Sequence, residues 1–249
     1  MFQFDFSSTA IISLLLSIPG VLFALAVHEC AHGWMSYKLG DPTARNFGRL
    51  TLNPIKHIDP IGFICMILFR FGWARPVPVN ARYYKKPRRD MALVAAAGPI
   101  SNLLMCVIGL ILVYISFFVY RTAVENPYPF LYIWNIWSGA IKEIPTEFSA
   151  KIIYLFFTLF MNFSILNASL AIFNLIPIPP LDGSRIAFIF LPVRFYFGIM
   201  RYERYIQLAM LVLLYLGAFD RILSFFVNGL MKGLVVAIEW IPIFQFPLF

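Results

Sequence analysis

Residues 91–120 contain no Asp, Glu, Lys or Arg. A run of that length and apolarity has one way to satisfy its backbone in a bilayer, as a helix whose N–H and C=O groups pair internally. Runs long enough to span also cover about 150–175 and about 205–227, and residues 10–27 begin a helically patterned stretch over 7–39. With 61% of its 249 residues hydrophobic and 18% aromatic, the chain lies far above an ordinary soluble domain. The expected fold is an all-α polytopic membrane protein, a bundle of about four to six transmembrane helices. A single domain over 1–249 is expected, because no Gly/Ser linker, low-complexity tract or internal repeat divides it.

The formal net charge is +8, and its distribution decides what it means. Residues 38–90 carry eleven Lys/Arg against Asp41, Asp59 and Asp90, whereas residues 121–151 carry three of each sign. That asymmetry between spanning segments places 40–90 on the cytoplasmic side. The densest run, Arg82 to Arg89, reads as a segment touching anionic lipid headgroups rather than nucleic acid. Cys30, Cys65 and Cys106 fall in or beside apolar segments and indicate no disulfide framework.

Within 40–90, the apolar stretch 61–71 is too short to cross a bilayer and is expected to re-enter or lie at the interface. Residues 73–83 are β-rich but contain Pro76 and Pro78. Two prolines at i and i+2 strip donors from one side of a strand, while Val77 and Val79 keep theirs on the other. A small membrane-associated β element with one pairable face is expected there. The aromatic loop holding Tyr128, Tyr132, Trp134 and Trp137 suits the outer interface, and the tail with Trp240 and Pro242 suits an interfacial position.

The first long helix carries His28-Glu29-Cys30-Ala31-His32 near its inner end, with Gly40 as the expected stop. Residues i and i+4 share a helix face, so the two imidazoles can hold one metal ion with Glu29 beside them, which is the zinc-hydrolase pattern H-E-x-x-H. Unpaired, such groups would cost several kcal/mol at membrane depth. Cys30 points about 200° away around the helix and reads as a packing residue.

Catalytic zinc takes three protein ligands and a water, and the candidates for the third are His57 and Asp182. His57 lies in a charged loop, where a histidine is usually solvated or hydrogen-bonded. Asp182 follows Asn174-Leu-Ile-Pro177-Ile-Pro179-Pro180-Leu, where three prolines within four residues forbid continued helix. Unwound backbone at membrane depth survives only against protein or a cavity, and a carboxylate there signals function. These grounds favour Asp182. Glu29 is the expected base, and Asn102 and Asn174 are amide donors that can serve the oxyanion or the substrate backbone, or simply bond between helices.

His28-Glu29-Cys-Ala-His32, Ala97-Gly98-Pro99-Ile-Ser-Asn102 and Asn174-x-x-Pro-x-Pro-x-x-Asp182-Gly183, with Arg75-Pro-Val-Pro-Val-Asn80 between the first two, resemble the site-2 protease family of intramembrane zinc metalloproteases. The likeness covers most of 20–190 and is to the compact branch without PDZ or CBS modules. It implies one Zn²⁺ per chain on His28, His32 and Asp182, with Glu29 as base. It implies substrate main-chain contact at Asn174, and a β element around Val77 and Val79 on which a partly unwound substrate strand can pair. Expected partners are a transmembrane protein substrate, the bilayer and a possible regulatory membrane protein. The expected location is a prokaryotic-type inner membrane with the site toward the cytoplasm. The competing reading is a catalytically silent relative that binds transmembrane partners.

Overall fold

The computed structural model describes residues 8–69, 72–123 and 148–240. The aromatic outer loop and the tail beyond Trp240 lie outside the described residues. Helix α1, Ser8–Lys38, runs unbroken through Pro19. It stops at Gly40, whose φ of 103° is the left-handed conformation a glycine adopts without penalty. The stop is a Schellman pair, with Gly40 N–H donating to Tyr37 O at 3.1 Å and Asp41 N–H to Ser36 O at 3.1 Å.

Beyond a short helix α2, Thr43–Asn46, the chain enters α3, Pro60–Phe69, capped by Asp59 Oδ1, which accepts from Gly62 N–H at 2.8 Å. Ten residues make about 15 Å of helix, half a bilayer. The chain then returns along α3: a Cβ at Gly62 would lie 2.2 Å from Trp73 O, and one at Gly72 2.3 Å from Gly62 O. Only residues without side chains permit that approach.

The expected β element is not formed as a strand. Among the described residues the sole β pairing in this stretch is an isolated antiparallel bridge between Ile58 and Ala74, beside which Arg75 N–H donates to His57 O at 2.8 Å. Pro76 and Pro78 remove alternate donors, and two of the remaining amides go to side chains. Val77 N–H donates to Glu29 Oε2 and Asn80 N–H to Asp41 Oδ2, so no ladder can develop.

Helix α4, Pro87–Ala123, begins with Pro at its first position, and Asp90 Oδ2 reaches back to accept from Lys86 N–H at 2.9 Å. Helix α5, Phe148–Asn174, ends at the proline-rich turn, and α6, Asp182–Ala187, restarts the helix. Then follow α7, Val193–Met200, α8, Glu203–Tyr215, and α9, Asp220–Glu239. Residues 205–227, expected as one spanning helix, are thus divided. Gly217 takes a φ of +71° and accepts the turn, while Asp220 starts the next helix with a negative charge in its first turn.

Among the described residues, three helices are long and apolar enough to cross a membrane: Pro87–Thr122, Lys151–Asn174 and Asp220–Ile238. The protein is a polytopic all-α membrane protein. Its residues group into two compact units, 1–103 with 169–226 and 104–168 with 227–249. In the second, Gly109 allows Ser164 to approach so closely that a Cβ would lie 2.2 Å from its Oγ, and Leu110, Val113, Phe157 and Met161 are buried. The first unit holds the polar chemistry described next.

Candidate metal centre

The last turns of α1 bring His28 and His32 edge-to-face, with ring centroids 4.6 Å apart. Their Nε2 atoms are 3.0 Å apart, and Asp182 Oδ2 lies 3.1 Å from the first and 3.2 Å from the second. Asp182 reaches this point because Gly183 packs against the end of α5. A Cβ on Gly183 would lie 2.3 Å from Leu175 O and 2.5 Å from Ile176 O, so the proline turn folds tightly onto α6 only with glycine there. Ser184 Oγ donates to Leu181 O at 2.7 Å and secures the same turn.

The outer faces of the two imidazoles fix their tautomers. His28 Nδ1 is 2.6 Å from Asn102 Oδ1, and His32 Nδ1 is 2.7 Å from Val94 O. Both partners are acceptors, so both Nδ1 atoms carry hydrogen and, in the neutral rings that bind a metal, both Nε2 atoms present lone pairs inward. Asp182 Oδ2 is buried and receives no hydrogen bond. Three lone pairs therefore converge on one point, an arrangement that repels unless a cation sits among them. A tetrahedral ion with metal–nitrogen bonds of 2.0–2.1 Å needs ligand-to-ligand edges of about 3.3 Å, close to the edges observed here. Among the described residues, His28, His32 and Asp182 are the cluster of His, Cys, Asp or Glu ligand atoms suited to a metal ion, and they fit one.

Gly98 makes this geometry possible. A Cβ there would lie 2.5 Å from both Cε1 and Nε2 of His32 and 2.6 Å from His28 Cε1. Its role was readable only as a hint, in the run of small residues Ala95-Ala96-Ala97-Gly98 where a backbone can approach closely.

The other expected residues are placed differently. Asn102 is fully buried, its Oδ1 on His28 and its Nδ2 3.4 Å from Ala24 O. Those contacts turn its carboxamide toward α1. Asn174 Nδ2 donates to Leu170 O of its own helix at 3.0 Å. His57, the competing third ligand, is 2% exposed with Nε2 2.8 Å from Thr51 O, and takes no part in the cluster. Glu29 Oε2 accepts from Val77 N–H at 2.8 Å, so the amide expected to pair with a substrate strand is engaged by the carboxylate of the motif. Val79 is half-buried on the same segment. Sequence reasoning missed Val94 O and the steric part played by Gly98, and it expected the Val77 amide to face a substrate strand, whereas the structure pairs it with Glu29. Backbone groups leave no residue-type signal.

A model of peptidase family M50 matches residues 16–217. The chain is 41% identical over 166 residues to a Bacillus subtilis protein named "Putative zinc metalloprotease YwhC", covering 67% of this chain and 64% of that one. It is 29% identical over 173 residues to a Mycolicibacterium smegmatis protein named "Putative zinc metalloprotease Rip2", covering 68% and 54%. The matched region thus spans between about half and two thirds of these relatives' lengths. No solved structure matches the chain significantly.

Proposed function

Because this chain belongs to peptidase family M50, we propose that it is a zinc-dependent endopeptidase that hydrolyses peptide bonds within or near transmembrane segments of other proteins. The observation that carries this reading is the convergence of the His28, His32 and Asp182 ligand atoms on one point beside Glu29. His28, His32 and Asp182 would hold one Zn²⁺ there, which would supply Lewis-acid activation of water and of the scissile carbonyl.

The protein's own groups do the rest. Asn102 and Val94 O hold the imidazoles in the tautomer that presents Nε2 inward. Glu29 is anchored through one carboxylate oxygen by Val77 N–H, leaving the other to take a proton from the attacking water and deliver it to the departing amine. A substrate carbonyl released from its helix finds a donor in the Val79 amide, since the Val77 and Asn80 amides are engaged and Pro78 has none, and Asn174 stands at the end of α5 for further main-chain contact. Pairing at Val77 itself requires that amide to be shared with or released by Glu29, so Val79 is the freer of the two donors for a strand.

The basic residues Arg82, Lys85, Lys86, Arg88 and Arg89 are exposed together beside the start of α4. Their charge supports a cytoplasmic position for the site, against anionic headgroups of an inner membrane. A regulatory membrane partner would act on this face.

The test is purification of wild type and Glu29→Gln in detergent, with zinc content and cleavage of a model transmembrane substrate measured together. Both forms are expected to bind about one zinc, and only wild type to cleave. Cleavage by both removes Glu29 from its role. Zinc binding with no cleavage by wild type, alongside capture of the same substrate, favours the silent binding protein.

A further inference from the structure

Two loops close over the Glu29 face of α1. A Cβ at Gly33, one turn beyond Glu29, would lie 2.8 Å from Leu50, 3.1 Å from Val77 and 3.2 Å from Ala44, so residues 44–50 and the extended segment after Arg75 meet on that face. Arg49 lies at this junction, 8% exposed. Its Nη2 donates to Arg75 O at 2.5 Å, while its Nε is buried without an acceptor. Arg75 N–H donates to His57 O at 2.8 Å. Both main-chain groups of Arg75 are therefore held. Two residues on, on the same side of an extended chain, Val77 N–H reaches Glu29 Oε2 at 2.8 Å.

Burial lowers the Arg49 guanidinium from its usual value, the Glu29 carboxylate opposes that shift, and the Arg75 guanidinium adds to it. Among the described residues Arg49 makes no direct ion pair. A guanidinium buried with one carbonyl as its acceptor is a poor device for stability, since desolvation is largely uncompensated. It is a good device for fixing one carbonyl, because its planar fork is rigid.

We propose that Arg49 is a positioning residue for Glu29: by fixing the Arg75 carbonyl it sets residues 75–77 and holds the Val77 amide where it orients the Glu29 carboxylate. The catalytic consequence rests on the endopeptidase reading above; the positioning itself does not.

Pro76 and Pro78 have no amide hydrogen, so exchange over 75–80 reports Arg75, Val77, Val79 and Asn80 alone. Hydrogen exchange, zinc content and steady-state cleavage are compared for wild type, Arg49→Met and Arg49→Lys as full-length protein in detergent. Arg49→Met is expected to raise exchange over 75–80 about tenfold or more, and to lower kcat about tenfold or more at unchanged KM and zinc content. Arg49→Lys, which returns one donor to Arg75 O, is expected to recover most of both. Wild-type exchange in Arg49→Met overturns the proposal. So does a joint change in zinc content, KM and kcat that Arg49→Lys fails to rescue, which marks general loosening. If wild type binds zinc but cleaves nothing, the endopeptidase reading fails while the exchange comparison still decides the role of Arg49.

Discussion

Asp41 is buried and Asp182 half-buried in the unit that carries the metal centre, yet the first is saturated with donors and the inward oxygen of the second has none. Asp41 Oδ1 accepts from Thr43 N–H at 2.9 Å and from the Thr43 hydroxyl, and Oδ2 accepts from Ser36 Oγ at 2.8 Å and Asn80 N–H at 2.7 Å. Tyr84 OH completes the knot at 2.7 Å from Ser36 Oγ. Asp182 Oδ2 faces two imidazole lone pairs and receives no hydrogen. The knot ties the end of α1 to the segment 80–84 and leaves no vacant lone pair to do chemistry. The centre is incomplete as a hydrogen-bonded structure, and a cation completes it.

Swapping each carboxylate for its amide breaks the comparison most sharply. Asp182→Asn is expected to abolish stoichiometric zinc binding and cleavage. It should leave the metal-free protein as stable as wild type or more so, since an amide can donate to an Nε2 lone pair. Zinc analysis and melting of the chelator-treated protein check both halves. Gly98→Ala attacks the centre without touching a ligand. Its Cβ would occupy the space of the two imidazoles, so zinc should be lost while helix content by circular dichroism is kept.

A smaller effect is expected from Asn102→Leu, which removes the acceptor of His28 Nδ1–H. Loss of such an outer partner costs about 10–100-fold in metal affinity, read by competition with a chelator. Smallest is Asp41→Asn, expected to cost about 2 kcal/mol by unsettling buried donors, with zinc affinity little changed. Burial pushes the Asp41 carboxyl up, but the hydrogen bonds from Thr43, Asn80 and Ser36 outweigh it and hold the group below its usual range. A carboxyl lowered in the folded state stabilises the fold above its unfolded value, about pH 4, and that stabilisation is lost as pH falls through the lowered folded value. The melting temperature of wild type should therefore fall more steeply than that of Asp41→Asn on acidification below about pH 4. Parallel curves would deny the knot its role.

Much of the helical architecture follows from local pattern. The stop at Gly40 and the short length of α3 were readable because glycine conformation and run length act within a few residues. The division at Gly217 was masked by apolar residues on both sides, and the strand expected at 73–83 failed because its amides found side-chain acceptors supplied by Glu29 and Asp41. Alternation of residue types reports propensity to extend, but the partner that completes a ladder lies elsewhere in the chain.

The sequence by itself determined that this is a helical membrane protein and that His28 and His32 share a face with Glu29 beside them, since both follow from periodicities of a few residues. Only the tertiary structure decided that Asp182 and not His57 closes the triangle, that Asn102 serves His28 from 74 residues away and Val94 O serves His32 from 62, and that Gly98 makes room for both rings. The physical reason is that a metal centre is defined by where lone pairs converge. Convergence depends on how distant backbones approach, through glycines and carbonyls whose part in it no residue pattern announces.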